Sequence, residues 1–373
     1  WGLNLQQLHL PQPNLSKCNQ QSRTQTIISC STSVPTTSTA LPITTLQQQP
    51  LPTANYEIPT DGIAPGGRLQ QFITAWKSTT THPWPLSVIQ HGYKIQFAKQ
   101  PVPWRVPKKH LSAEDQLHVN IAIQKFLTGE MIEVSPSQNK NFLSNFFTLQ
   151  EQTKRRPILD CQKLNSFLQV EHFKMEGVPA LREIIEENDY ICKIDLKDAY
   201  VVIPIHPDSQ DYLSFENQGI VYRYKSLAFG LSVAPRIFSK IMKYAIEPLR
   251  SEGHRLVYYL DDICLLEKPK EKMQQLTYKV AQHLQRLGFI INFNKSMLTP
   301  AKTQEFLGFQ FNTKKMEISV PSLKITNLLK RIKQLESGQY RSCRWIASLL
   351  GKMTAMIPAV GEALLHLRYL QRD

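Results

Sequence analysis

Cysteine pairs, long apolar runs and an acidic surplus are all missing from this chain of 373 residues. Its six cysteines, at positions 18, 30, 161, 192, 264 and 343, show no C-x-x-C spacing. That argues against a zinc site or a disulfide framework and fits a reduced, intracellular protein of the cytoplasm or nucleus rather than a secreted one. No apolar run reaches the length of a membrane span and no lipidation signal is present, so no membrane partner is expected. The chain starts at Trp1 with neither an initiator Met nor a signal-peptide pattern, and reads as a fragment of a longer reading frame. Charge is nearly absent from residues 1–65, which hold only Lys17, Arg23, Glu57 and Asp61, whereas 33 of these residues are Gln, Ser, Thr or Pro. Such a segment cannot bury enough surface to offset its ordering entropy, so 1–65 is expected to be a disordered tail.

What is present is basic. Lys and Arg number 44 against 30 Asp and Glu, a net +14, and the tail contributes none of it. An excess confined to the folded part favours a polyanionic partner such as nucleic acid. The hydrophobic share of 42% is enough for one or two domains with real cores.

Two adjacent carboxylates stand out in Tyr259-Leu260-Asp261-Asp262, between the apolar runs Leu256-Val257-Tyr258 and Ile263-Cys264-Leu265-Leu266. Asp is common in turns, which is the plain explanation. Another apolar run, however, ends in a third carboxylate: Lys193-Ile194-Asp195-Leu196-Lys197-Asp198-Ala199-Tyr200. Two antiparallel strands can bring Asp195 and Asp261 side by side, and carboxylates gathered between strand-forming residues call for a cation.

The order of Asp195 in that octapeptide, then Tyr222-Arg223-Tyr224-Lys225-Ser226-Leu227-Ala228-Phe229-Gly230 with Pro235 and Phe238, then Tyr259–Asp262, resembles reverse transcriptases of retroelements. The resemblance covers most of residues 140–320 and extends to retroviral and LTR-retrotransposon enzymes. Gly66-Gly67-Arg68-Leu69 with Phe72 and Trp76, and the run Gly92-Tyr93-Lys94-Ile95-Gln96-Phe97, further resemble the DIRS-type, tyrosine-recombinase retrotransposons. The resemblance implies an α+β right-hand polymerase of fingers, palm and thumb, with an antiparallel palm sheet packed on helices. It places an N-terminal extension at 66–135, fingers at 136–189, the palm at 190–320 and thumb-like helices at 321–373, where nine Lys or Arg face three acids.

Periodicity supplies the local elements. A helix is expected over 112–128, opened by Ser112, after prolines 101, 103 and 107 that rule out a regular element. Others are expected from Pro235 to about Leu249 and from about Lys270 to Leu287, stopped by Gly288. Asn217-Gln218-Gly219 signals a hairpin, and Lys154-Arg155-Arg156 a basic turn.

By resemblance, Asp195 and Asp261, with Asp262 as a third, bind two Mg²⁺, with Mn²⁺ as a substitute. They serve the attack of a primer 3′-hydroxyl on the α-phosphate of a deoxynucleotide. Leu196, Lys197, Asp198 and Ala199 border the triphosphate, and Tyr200 excludes a 2′-hydroxyl, although a core aromatic would look the same. Arg156 matches a triphosphate-gripping arginine, or is a solvated turn charge. The lysine usual just upstream is replaced by Gln150 or Glu151, leaving Lys154 as substitute. Phe229 lies against the incoming nucleotide and Gly230 lets the backbone approach the template, although Ala228 stands where many relatives have Pro. Lys295 matches a general acid for the leaving pyrophosphate, or is merely exposed. Phe306, Leu307, Gly308 and Phe309 resemble the primer grip, or any buried strand. The implied partners are an RNA template, a DNA primer or template, deoxynucleotides and other proteins of the same element. Two alternatives stay open: an inactive remnant that only binds nucleic acid, and an RNA-dependent RNA polymerase, which Tyr200 argues against.

Overall fold

A computed structural model of the chain describes residues 61–107, 110–136, 141–151, 155–336, 340–360 and 367. Most of the expected tail, and Lys154, lie outside the described residues. In chain order the elements are α1 (Ile73–Thr79), α2 (Pro83–His91), β1 (Trp104–Arg105), α3 (Ala113–Thr128), β2 (Ile132–Val134), β3 (Phe142–Gln150), β4 (Arg155–Asp160), α4 (Gln162–Asn165) and α5 (Val178–Ile184). There follow β5 (Tyr190–Lys197), α6 (Pro207–Gln210), β6 (Ser214–Asn217), β7 (Ile220–Tyr224), α7 (Ala234–Ser251), β8 (Arg255–Tyr259), β9 (Asp262–Glu267) and α8 (Lys270–Arg286). The last are β10 (Ile290–Ile291), β11 (Met297–Ala301), β12 (Thr303–Phe306), β13 (Phe309–Asn312), β14 (Glu317–Ser319), α9 (Ser322–Glu336) and α10 (Cys343–Thr354). The fold is mixed α+β. No helix among the described residues is long and apolar enough to cross a membrane.

The helix starts follow capping chemistry. Ser112 accepts the Asp115 N–H at α3, and Pro235 occupies the first turn of α7, where a missing N–H costs nothing. Two local expectations are corrected. Trp104 and Arg105 form a short strand pairing in parallel with Phe142 and Leu143, because Pro103 and Pro107 flank it rather than interrupt it. Arg155 and Arg156 lie in strand β4 opposite Gln150 and Leu149, since Pro157 sits in this edge strand without breaking the pairing.

Among the described residues the strands form three sheets. The first runs β1-β3-β6-β7-β2 with β4 on β3, so it draws strands from both sides of residue 190. The second runs β10-β5-β9-β8 with β11 also on β5, and the third is β12-β13-β14. Period-two alternation divides the second sheet. Cys192, Ile194, Leu196, Ile263, Leu265 and Leu256 join the main core, which also takes in the buried faces of α7 and α8. Ile191, Cys264, Leu266 and Val257 pack instead with Phe306, Phe309 and Phe311 of the third sheet and with Val178 and Leu181 of α5. The parity that puts Ile191 on this second face also puts Lys193 and Asp195 there.

Candidate active site

Strand β5 runs antiparallel to β9 in a register that sets Asp195 directly opposite Asp262. The expected strand pairing of Asp195 with Asp261 is thereby corrected: Asp262 is the cross-strand partner, and Asp261 stands next to them in the turn. Tyr259 pairs with Asp262, so Leu260 and Asp261 form the tip of the β8–β9 hairpin, with Leu260 at φ 52°. A left-handed residue at this tip is what a two-residue hairpin demands. The tip is tied to β5 through the Leu196 N–H, which donates to the Asp261 carbonyl at 2.8 Å. Three carboxylates from two strand ends and one turn therefore share one edge of the sheet.

Their charges are treated differently. Asp195 is 6% exposed, and its Oδ1 is buried without a hydrogen-bond partner. The Lys295 Nζ stands 3.9 Å from that oxygen, on a side chain that is mostly exposed. Burial foremost, with Asp262 and Asp195 adding repulsion, holds the Asp261 carboxyl above the ordinary carboxylate range. Asp262 has a neutralising partner, since Lys193 Nζ stands 3.0 Å from its Oδ1, although the pair is not aligned as a hydrogen bond. Among the described residues no group of three His, Cys, Asp or Glu side chains forms a closed set of metal ligands, although Asp195, Asp261 and Asp262 are neighbours. What does fit a hard divalent ion is the pair Asp195 and Asp261, because Mg²⁺ needs only one or two carboxylates besides waters and phosphates.

The candidate nucleotide pocket adjoins this edge. Tyr200 lies against Phe229, ring centroids 4.8 Å apart, and edge-on to Phe238 at 5.7 Å. Burial, then the negative Asp261 and the Tyr259 phenol, push the Tyr200 hydroxyl up to about 12, so it is a neutral group at physiological pH. Phe229 is 48% exposed, an apolar ring open to a ligand on one side. Gly230, at φ 102°, passes so close to β4 that a Cβ there would lie 2.4 Å from the Leu159 carbonyl oxygen. Leu196 and Ala199 are buried, Lys197 is exposed, and Asp198 turns the chain at φ 55°. Arg156 is exposed with its Nε 2.7 Å from Glu151, whereas Arg155 is drawn to Glu114 and Asp115 at 2.6 Å each. Arg156 is thus the one of the two that a ligand could recruit.

Phe306, Leu307, Gly308 and Phe309 form the β12–β13 turn, with Leu307 at φ 49° and Gly308 at φ 76°. Phe306 and Phe309 anchor it in the smaller core, and Lys324 of α9 donates to the Gly308 carbonyl at 2.8 Å. The turn approaches the carboxylate hairpin across Gly177, where a Cβ would stand 3.9 Å from both Leu307 and Tyr259.

Three residues escaped the sequence reading. Lys193 was legible, being two positions before Asp195 on the same strand face. Ser296, whose hydroxyl accepts the Asp195 N–H at 3.0 Å, and Asn165, which donates to the Gly230 carbonyl at 2.9 Å, are joined to their partners only by the fold.

Residues 140–311 match the family model described as "Reverse transcriptase (RNA-dependent DNA polymerase)". The chain is 28% identical over 199 residues to the genome polyprotein of Petunia vein clearing virus, covering 52% of this chain and 9% of that one. It is 26% identical over 265 residues to the Gag-Pro-Pol polyprotein of sheep pulmonary adenomatosis virus, 66% of this chain and 15% of the polyprotein. With Protein P of a duck hepatitis B virus the identity is 25% over 185 residues, 49% of this chain and 23% of that protein. The chain thus spans less than a quarter of the length of these relatives. Among solved structures, foamy viral protease-reverse transcriptase in complex with double-stranded DNA superposes with a TM-score of 0.59 at 16% identity, over 83% of this chain and 54% of that one. The same protein with an RNA/DNA hybrid also gives 0.59, over 82% and 41%. At that identity the likeness is one of fold.

Proposed function

We propose, from the premise that residues 140–311 are a reverse transcriptase domain related to those of viruses, that this chain is an RNA-directed DNA polymerase of a retrotransposon, resembling the DIRS type. The observation that carries the activity is the edge where Asp195, opposite Asp262 and beside Asp261, meets the Tyr200–Phe229 pair. In this reading the first sheet belongs to the fingers, joined there by β6 and β7 from the stretch assigned to the palm, the second sheet to the palm, and α9 and α10 to the thumb.

Asp195 and Asp261 would hold divalent magnesium, or manganese in its place. When bound, the two ions lower the cost of charge on the attacking and departing oxygens. The chain's own residues do the rest. The Leu307–Gly308 turn steadies the primer end, and Phe229 and Tyr200 flank the nucleotide base and sugar. Arg156, released from Glu151, holds the triphosphate through its planar fork. The primer 3′-oxygen forms a bond to the α-phosphorus as the bond to the β-phosphate oxygen breaks. The hydroxyl proton leaves to solvent and Lys295 supplies one to the departing pyrophosphate. Asp262, paired with Lys193, shapes the site electrostatically. An RNA template, a DNA primer and deoxynucleotides are the proposed substrates, and an intracellular setting suits the free thiols of Cys161, Cys192 and Cys264.

Primer extension on an RNA template with Mg²⁺ tests this reading. Deoxynucleotides should be incorporated in preference to ribonucleotides; ribonucleotide preference would favour an RNA polymerase, and binding without extension a nucleic-acid-binding remnant.

A further inference from the structure

The Gly66-Gly67-Arg68-Leu69 stretch takes no part in the chemistry above, yet its backbone is committed to the segment that carries Tyr200. Gly67 N–H donates to the Val201 carbonyl at 2.8 Å and Leu69 N–H to the Val202 carbonyl at 3.0 Å. Those are the two residues after Tyr200. A Cβ on Gly66 would lie 2.2 Å from the Glu130 carbonyl oxygen, so the backbone can pass here only as glycine.

Between these contacts Arg68 is 6% exposed. A guanidinium so buried is costly unless its N–H groups find acceptors. Its Nε donates to the Gly288 carbonyl at 2.8 Å, and its Nη1 to the Ile63 carbonyl at 2.7 Å and to Asp61 Oδ1 at 2.8 Å, while Nη2 engages the other Asp61 oxygen. Trp76, fully buried, donates its indole N–H to the Leu287 carbonyl at 2.9 Å, and a Cβ on Gly288 would stand 2.5 Å from the Phe72 ring. The Leu287–Gly288 corner leads into β10, which pairs with Leu196 and Lys197, and Asn292 then donates to the Asp195 carbonyl at 2.8 Å. Residues 61–76 therefore hold the catalytic end of β5 from two sides, beyond it at Val201–Val202 and, through the Leu287–Gly288 corner that leads into β10, beside it.

An apolar side chain would fill this volume without burying a charge, so a buried arginine adds direction rather than bulk. Its rigid fork locks the 61–68 segment onto the Gly288 carbonyl, while the flanking Gly67 and Leu69 amides hold Val201 and Val202. Resting on the polymerase reading, we propose that Arg68 is a positioning residue for the Tyr200 loop, setting sugar selectivity and nucleotide affinity through a brace formed by residues 61–76.

The test uses the full chain with Arg68→Ala, Arg68→Lys, Trp76→Phe and Asp61→Asn, each assayed by single-nucleotide extension and by amide hydrogen exchange. Arg68→Ala should raise the deoxynucleotide KM about tenfold, leave kcat within about threefold and cut discrimination against ribonucleotides about tenfold. Arg68→Lys should fall between it and the unmutated chain. Exchange should quicken in residues 198–206 and 287–292 but not in the β3–β4 hairpin. Unchanged discrimination with unchanged exchange in 198–206 overturns the proposal, as does a loss of kcat that only tracks the lost folded fraction. Should Arg68→Ala not fold, Trp76→Phe and Asp61→Asn carry the same comparison, because each removes one of the brace's polar contacts. If the unmutated chain extends no primer, the polymerase reading fails by itself. Exchange then still decides the brace, with quickening in 198–206 supporting it and none refuting it.

Discussion

Asp261 is pressed against two other carboxylates in a partly buried turn, and that strain is measurable without any substrate. Its folded-state proton affinity is raised above the ordinary value of 3.8, burial being the largest cause. The folded chain binds this proton more tightly than the unfolded one, so stability falls as pH rises from the unfolded value through the folded one. Asp261→Asn keeps the shape and removes the charge. Without divalent cation the variant should melt higher than the unmutated chain at neutral pH, and the gap should close below about pH 4. A variant that melts lower at neutral pH contradicts this account of the site. Tyr200 invites a kinetic test, because its ring is braced by Phe229 and Phe238 and its phenol stays neutral. Tyr200→Ala should increase ribonucleotide use on the order of a hundredfold. No gain would make Tyr200 a packing aromatic, the alternative its sequence position leaves open.

At the level of elements, the site depends on turns that only certain residues can make. Gly230 combines a φ of 102° with a backbone approach to Leu159, so Gly230→Ala is strained both by conformation and by collision. Denaturant unfolding should show a loss of about 1–3 kcal/mol, with a raised deoxynucleotide KM, and an unperturbed variant would refute the close approach. Such features divide what the sequence made legible from what it did not. Helix starts at Ser112 and Pro235 and the Gln218-Gly219 turn follow from local chemistry, and all three stand close to where pattern reading puts them. Register does not follow locally. Asp195 faces Asp262 rather than Asp261 because the two-residue tip takes Asp261 out of the strand, and with both faces of β5 and β9 apolar the sequence carries no polar alternation to mark the register. The fate of the arginines is equally non-local, since Arg155 finds Glu114 and Asp115 across the fold while Arg156 stays exposed.

For the whole molecule, the net +14 lies outside the first 65 residues and predicts binding dominated by phosphate contacts. Template–primer affinity should fall linearly on a log–log plot against salt, by about a thousandfold or more between about 50 and 200 mM if six or more phosphates are neutralised. A flat salt response would contradict that origin for the charge. The central claim is that binding serves chemistry at the Asp195–Asp261 edge. The measurement that tests it most directly is the single-turnover rate of deoxynucleotide addition to an RNA-templated primer with Mg²⁺, compared between the unmutated chain and Asp195→Asn at matched template–primer occupancy. The account predicts extension by the unmutated chain and a loss on the order of a thousandfold in the variant with binding retained. Equal rates in the two, or no extension by the unmutated chain while it binds, would contradict it.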